Sequence, residues 1–316
     1  MGQCRIACPA CPGARVARAA RVAGAAAGLA VGALRGWSRW AERLVAEGDR
    51  SPADLVLTVD IARLMQVVDA GVIQPVQSDV LEANIPESLR DPADQWFGLT
   101  SRARIVYASK ERVQPGEVTT YEDLATEKWK GRICSRSGLH DYNVALLGAV
   151  IAHYDEATAT AWAEGLKANL ARKPDGGDRD QVKAIAAGEC DIAIGNTYYM
   201  GQMLDDPEQV PAAESVNIVF PTFGSGGTHL NISGVAMTAA APNKENALKF
   251  MEWLSGDVAQ KIYAETNHEY PVKPGVERSA LVASWGEFTA DTKTLAEIAA
   301  QRPAAVKIME TVNFDG

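Results

Sequence analysis

Two tyrosines stand side by side in "GNTYYMG" (Gly195 to Gly201), in a chain of 316 residues with only eight tyrosines. Adjacent phenols are compatible with ordinary aromatic packing. They are equally compatible with half of a ligand set for a hard metal ion. A third phenol, Tyr142, follows another strand-like run, "RICSRS", and one carboxylate, Asp60, follows "ADLVLTV". Each of these four residues falls where a strand ends and a helix begins, and in open α/β sheets ligands sit outside those strand ends. A phenol has an ordinary pKa near 10 and does not ionise unaided. A trivalent cation strips its proton, because a bound metal is the dominant local charge. Phenolate is a hard oxygen donor, and three phenolates offset the charge of Fe(III). The four histidines show no metal-ligand spacing, which argues against softer metals.

Plainer readings stand beside this one. Asp60 has the position of an N-cap for a helix starting at Ile61. Arg102 and Arg104 in "SRARIV" fit structural ion pairs, and Ser137 with Gly138 fits a turn and cap. "GSGG" (Gly224 to Gly227) lacks the lysine of a phosphate loop and reads as a turn.

The elements that must position these residues form an alternation. Strand "ADLVLTVD" precedes helix "IARLMQVVDAG"; strand "ARIVYAS" precedes a helical "YEDLATEKWKG" and strand "RICSRS". Helices are expected over "YNVALLGAVIAHYD", "ATATAWAEGLKANLA" and "DRDQVKAIAAGE", then strands "CDIAIGN", "VNIVFP" and "GVAMTA". One long helix is expected over "KENALKFMEWLSGDVAQKIYAE". Such alternation implies an α/β fold with a parallel or mixed sheet and helices on both faces. The length suggests two lobes rather than one. A net charge of -9 without a basic run excludes nucleic acid as a partner. No apolar stretch spans a bilayer; the best, Val22 to Leu34, is short and mostly Ala and Gly.

Cys134 and Cys190 each open a strand-like run and fall on neighbouring strands in this reading. A disulfide would suit an oxidising compartment, two buried thiols are the alternative, and spacing does not separate them. The first forty residues differ: Ala, Gly, Arg and Val dominate, with no strand-like run of large β-branched residues. They fit a secretory signal or an out-of-frame translation. Cys4, Cys8 and Cys11 have the spacing of an iron–sulfur motif but lack its strand and barrel context, and such short matches arise by accident.

Several long stretches carry a resemblance: "EGDRSPADLVLTVD", "NIPESLRDPADQWFGLTSRARIVYASK", "WKGRICSRSG", "GGDRDQVKAIAAGECDIAIGNTYYMGQM" and "NHEYPVKPGV". In this order, over residues 42–316, the chain resembles the ferric-iron-binding proteins of bacterial ABC importers, the bacterial transferrins. The resemblance implies a two-lobed periplasmic-binding-protein type II fold. One lobe would comprise 41–103 and 232–280, the other 104–231 and 281–316, with 1–40 an atypical segment. It implies a monomeric, non-enzymatic receptor that captures Fe(III) in the periplasm and delivers it to an ABC transporter permease in the inner membrane.

Carried over residue by residue, the resemblance makes Tyr142, Tyr198 and Tyr199 iron ligands, with Asp60 where some members place a carboxylate. It sets Arg102 and Arg104 behind the site as balancing charge. It matches Ser137, Gly138 and Asn196 to positions that hold an anion in other members. Members open with a strand like "VYSSRHYD", whose His and Tyr supply further ligands; nothing like it precedes Ala41 here. The first strand of lobe 1 is thus expected to be missing or replaced, iron coordination short by one or two ligands, and the lobe less stable. The rival readings are a same-fold receptor for another small solute, an iron–sulfur enzyme using Cys4, Cys8 and Cys11, and an impaired product.

Overall fold

The computed structural model describes Cys4–Ala7, Leu29–Gly32 and residues 38–316. Its strands, in chain order, are β1 (Cys4–Ala7), β2 (Leu29–Gly32), β3 (Leu55–Val59), β4 (Ile73–Gln74) and β5 (Phe97–Ser109). They continue with β6 (Ile133–Cys134), β7 (Ile192–Asn196), β8 (Val216–Val219), β9 (Leu230–Thr238) and β10 (Tyr270–Pro271). The chain divides into two compact units. The first comprises 1–101 and 232–282, the second 102–231 and 283–316.

In the first unit β3 pairs antiparallel with β9, from Leu55 opposite Met237 to Val59 opposite Ser233. All five residues of β3 are buried, as a strand covered on both faces requires. Its apolar side chains Leu55 and Leu57 join Phe97, Val235, Phe250 and Leu254 in one core. β1 runs parallel to β3, with Ile6 opposite Leu55, and parallel to β2 on its other side.

Of the two alternatives for the first strand of lobe 1, missing or replaced, that arrangement fits the second: a strand is present where none was expected from composition. "CRIA" and "LAVG" both become four-residue strands, and the place beside β3 is filled. The physical reason is that ladder pairing is made by backbone N–H and C=O groups. Any short extended segment can cap an apolar, buried strand that would otherwise leave those groups unpaired. "CRIA" contains no His or Tyr, so this strand brings none of the residues expected from an opening "RHY". The signal-like and out-of-frame readings fall mostly outside the described residues, and of the Cys4, Cys8 and Cys11 cluster reading, Cys8 and Cys11 do too.

In the second unit β5 pairs antiparallel with β7, from Arg104 opposite Asn196 to Ala108 opposite Ile192, and β6 runs parallel to β7. Helix Asp141–His153 is apolar almost all round, and ten of its residues are buried. It sits in a core with Trp129, Trp162, Ile194 and Phe223. Three expected elements differ. "YEDLATEKWKG" forms two short 3₁₀ turns, Glu122–Ala125 and Glu127–Trp129, rather than one helix. "RICSRS" is strand only at Ile133–Cys134. The long C-terminal helix breaks at Gly256, whose extended backbone separates Lys244–Ser255 from Asp257–Ile262.

Candidate metal centre

The candidate ligands of the second unit come from three elements. Helix α1 (Asp141–His153) puts Tyr142 in its first turn, with His140 as N-cap accepting from the Tyr142 backbone N–H at 3.2 Å. β7 ends at Asn196; Thr197 donates its N–H to the Ala103 carbonyl and accepts the Ala103 N–H on Oγ1, and helix α2 (Tyr198–Leu204) begins at once. The glycine before Asn196 is required: a Cβ at Gly195 would lie 2.2 Å from the Tyr107 ring. Tyr107 in turn donates its O–H to the Asn196 carbonyl at 2.5 Å, fixing the strand end.

The phenols converge. Tyr142 Oη and Tyr198 Oη are 3.2 Å apart and both residues are buried. The Tyr198 and Tyr199 rings lie 4.3 Å apart, and the Tyr198 side chain also hydrogen-bonds Tyr199. Guanidinium groups surround the Tyr142 ring: Arg136 at 5.2 Å, Arg104 at 5.7 Å and Arg102 at 6.0 Å from its centroid.

One buried carboxylate organises that shell. Asp178 receives Arg104 Nη1 at 2.6 Å on Oδ2 and Arg136 Nη1 at 3.0 Å on Oδ1, and also accepts the Asn196 backbone N–H at 2.8 Å. Arg104 also donates to Asn196 Oδ1 and, through Nη2, to Asn143 Oδ1 at 2.6 Å. Burial alone would raise the Asp178 carboxyl, but the two guanidiniums outweigh it and hold the group below the usual carboxylate range. Burial, then the neighbouring phenols, pushes Tyr198 well above an ordinary phenol. Tyr199 is raised by burial, by Tyr142 and by Asp178. Burial and the charges of Arg136 and Arg104 push His140 down to about 4, which keeps its ring neutral and its Nδ1 free to accept.

The structure thus brings Tyr142, Tyr198, Tyr199, Arg102, Arg104 and Asn196 into one cluster. Ser137 and Gly138 stand apart in their bonding. Ser137 Oγ donates at 2.5 Å and the Gly138 N–H at 2.7 Å to the Asp315 carboxylate. The donor pair matched to an anion position therefore holds a carboxylate of the same chain.

Asp60 belongs to the first unit. It caps its helix, Oδ1 accepting from the Ala62 N–H at 2.8 Å, and its backbone is strained at φ +96°. Sequence reasoning missed Arg136, Asn143 and Asp178. Asp178 is one of two acids in the first turn of the expected helix "DRDQVKAIAAGE", and Arg136 lies between two serines, so neither stands out locally. Among the described residues no three His, Cys, Asp or Glu side chains gather as a metal site. The donors on offer are therefore phenol oxygens. Burial disfavours charge on Tyr198 and Tyr199, so a cation that displaces phenol protons is the partner such donors suit, which fits a hard, highly charged ion.

Residues 30–290 match the family model of the bacterial extracellular solute-binding proteins, and the chain belongs to that family. Its members bind solutes for transport rather than transform them. Within it, the chain is 46% identical over 275 residues to the "Iron uptake protein A1" of Synechocystis sp., covering 86% of this chain and 76% of that one. Among solved structures it is similar to the apo ferric ion-binding protein A of Pasteurella haemolytica. That match has 48% identity, a TM-score of 0.95, and 100% and 99% of the two chains covered. It is also similar to a Trichodesmium protein solved in complex with iron and citrate ligands. Here the identity is 38% and the TM-score 0.92, with 99% and 100% coverage. The α/β mixed-sheet architecture is that of these type II binding proteins.

Proposed function

We propose that this chain is the substrate-binding component of an ABC iron importer, with Fe(III) as its cargo and Tyr142, Tyr198 and Tyr199 as ligands. The observation that carries the reading is the hydrogen-bonded approach of Tyr142 and Tyr198, with Tyr199 bonded to the pair. Each phenol releases its proton to solvent as it ligates the ion. Arg102, Arg104 and Arg136, set about the Tyr142 ring, then face phenolate charge that burial alone would not tolerate. Asp178 holds two of those guanidiniums in place. Asp60 acts as the helix cap that its bonding describes, and water fills the remaining positions of an octahedral oxygen shell. The Cys134–Cys190 disulfide favours an oxidising compartment, and the periplasm is the one this reading assigns. There the loaded monomer docks on its membrane permease; no bond of a substrate is made or broken.

The test is a titration of the purified chain with ferric nitrilotriacetate, followed by visible absorbance. A phenolate-to-iron charge-transfer band is expected, saturating near one iron per chain. It should be lost in the Tyr198→Phe/Tyr199→Phe variant. No band, or one untouched by the substitutions, overturns the proposal.

A further inference from the structure

Cys134 and Cys190 form a disulfide, and both are buried. Its placement relative to the phenols is symmetrical along the chain. Cys134 stands eight residues before Tyr142, and Cys190 eight residues before Tyr198. Cys134 ends β6 and Cys190 precedes β7, which are parallel neighbours, so both arms leave the cross-link in the same direction.

The bond sits where the ladder between those arms is short. β6 pairs with β7 through only two positions, Ile133 opposite Ile192 and Cys134 opposite Ala193. Just before them the Arg132 carbonyl accepts from Asp191 and Ile192. Beyond Cys134 the first arm leaves the sheet. Its loop is gathered instead by Asn143, whose Nδ2 donates to Ser135 Oγ and to the carbonyls of Arg136 and Ser137 at 3.1 Å. The second arm stays paired with β5 as far as Asn196. One phenol thus rides on a well-laddered strand. The other rides on a loop and helix start that share only two ladder pairs with it, one covalent bond and the side-chain bonds through Arg104 and Asp178.

We infer that the Cys134–Cys190 disulfide is a positioning device for the metal centre, holding the Tyr142 arm in register with the Tyr198 arm. This rests on the iron reading above. A cross-link near the base of two arms limits how far their ends separate, so the phenols are already close when the ion arrives and less ordering accompanies binding. It also gives the bond a role that global stability does not explain: Tyr142 depends on it, whereas Tyr199, next to Tyr198 on the laddered arm, does not.

The experiment is a double-mutant cycle on ferric affinity in the full chain, combining Cys134→Ala/Cys190→Ala with Tyr142→Phe, and separately with Tyr199→Phe. The disulfide-free chain is expected to bind iron about tenfold more weakly, with lower charge-transfer absorbance per bound iron. Tyr142→Phe should then cost about tenfold less in the disulfide-free background than in the native one, while the cost of Tyr199→Phe is the same in both. A Cys134→Ser/Cys190→Ser chain, measured alongside, should reproduce the pattern.

If the disulfide-free chains melt earlier but bind iron with native affinity and absorbance, or if both tyrosines show equal coupling, the bond is a general staple and the inference fails. Variants that do not fold at all assign it to global stability and overturn the inference likewise. Failure of the native chain itself to develop the band tells against the iron reading, not against this step.

Discussion

Two strand-to-helix junctions, one in each unit, start from similar sequence and end with different work. In the first unit β3 delivers Asp60, which turns its carboxylate back on the Ala62 N–H and caps its own helix. In the second unit β7 delivers Asn196 and Thr197, and Thr197 satisfies its backbone against Ala103. With the strand end held by Thr197 and by Asp178, the next two side chains are not used as caps, and Tyr198 and Tyr199 cluster with Tyr142. A polar group at a strand end is therefore not by itself a ligand. What separates the two junctions is whether the local backbone consumes the group.

The sharpest way to break this comparison is to remove the phenols. Tyr198→Phe is expected to weaken ferric binding by about 10³-fold, roughly 4 kcal/mol. Its apo melting temperature should change little, because the ring keeps its packing. Equilibrium competition against a chelator measures the first and calorimetry the second.

Next in size is Asp178→Ala, which leaves Arg104 and Arg136 buried without their shared counter-charge. A loss of about 3 kcal/mol in stability is expected, with the opening concentrated in the second unit and read by amide exchange.

Acid should distinguish the units as well. His229 is pushed down to about 3 by burial and the arginine charges, and His140 to about 4, so both are neutral in the folded unit. Their folded pKa values lie below the unfolded one. The stability they contribute is full above about pH 6.5 and is lost as the pH falls toward about 4. The loss is expected to reach about 6 kcal/mol over that window, about 3 kcal/mol from each ring. Amides of the second unit should lose protection first, and His229→Gln should flatten the dependence.

Smallest is Asp60→Ala. Loss of a cap, with φ +96° still imposed on a residue bearing a Cβ, should cost about 1–2 kcal/mol. Ferric affinity should stay within about twofold, because one capped carboxylate in the first unit is not among the three phenols.

Much of this was legible in the chain before any coordinates. Period and punctuation marked most strands and helices to within a few residues, and the spacing of Tyr142, Tyr198 and Tyr199 after strand ends singled out the phenols. The rest was hidden for physical reasons. Asp178 and Arg136 acquire meaning only through contacts across dozens of residues, and neither type at its position carries a local signal. "CRIA" has no strand-like composition, yet a neighbour with a bare ladder edge is enough to make it a strand. "YEDLATEKWKG" has helical period, but Tyr121 turns inward, donating its O–H to the Arg104 carbonyl, and the segment tightens into 3₁₀ turns. The pairing of Cys134 with Cys190 was left open by spacing, and in the fold the two are bonded across the parallel β6–β7 neighbours.

The central claim is that three clustered, buried phenols become the ligands of a ferric ion. Resonance Raman spectroscopy of the iron-loaded chain, excited within the visible band, tests it most directly. Tyrosinate ring modes are expected, with intensity falling in each of Tyr142→Phe, Tyr198→Phe and Tyr199→Phe. Iron held without tyrosinate modes, or with modes indifferent to all three substitutions, would contradict it.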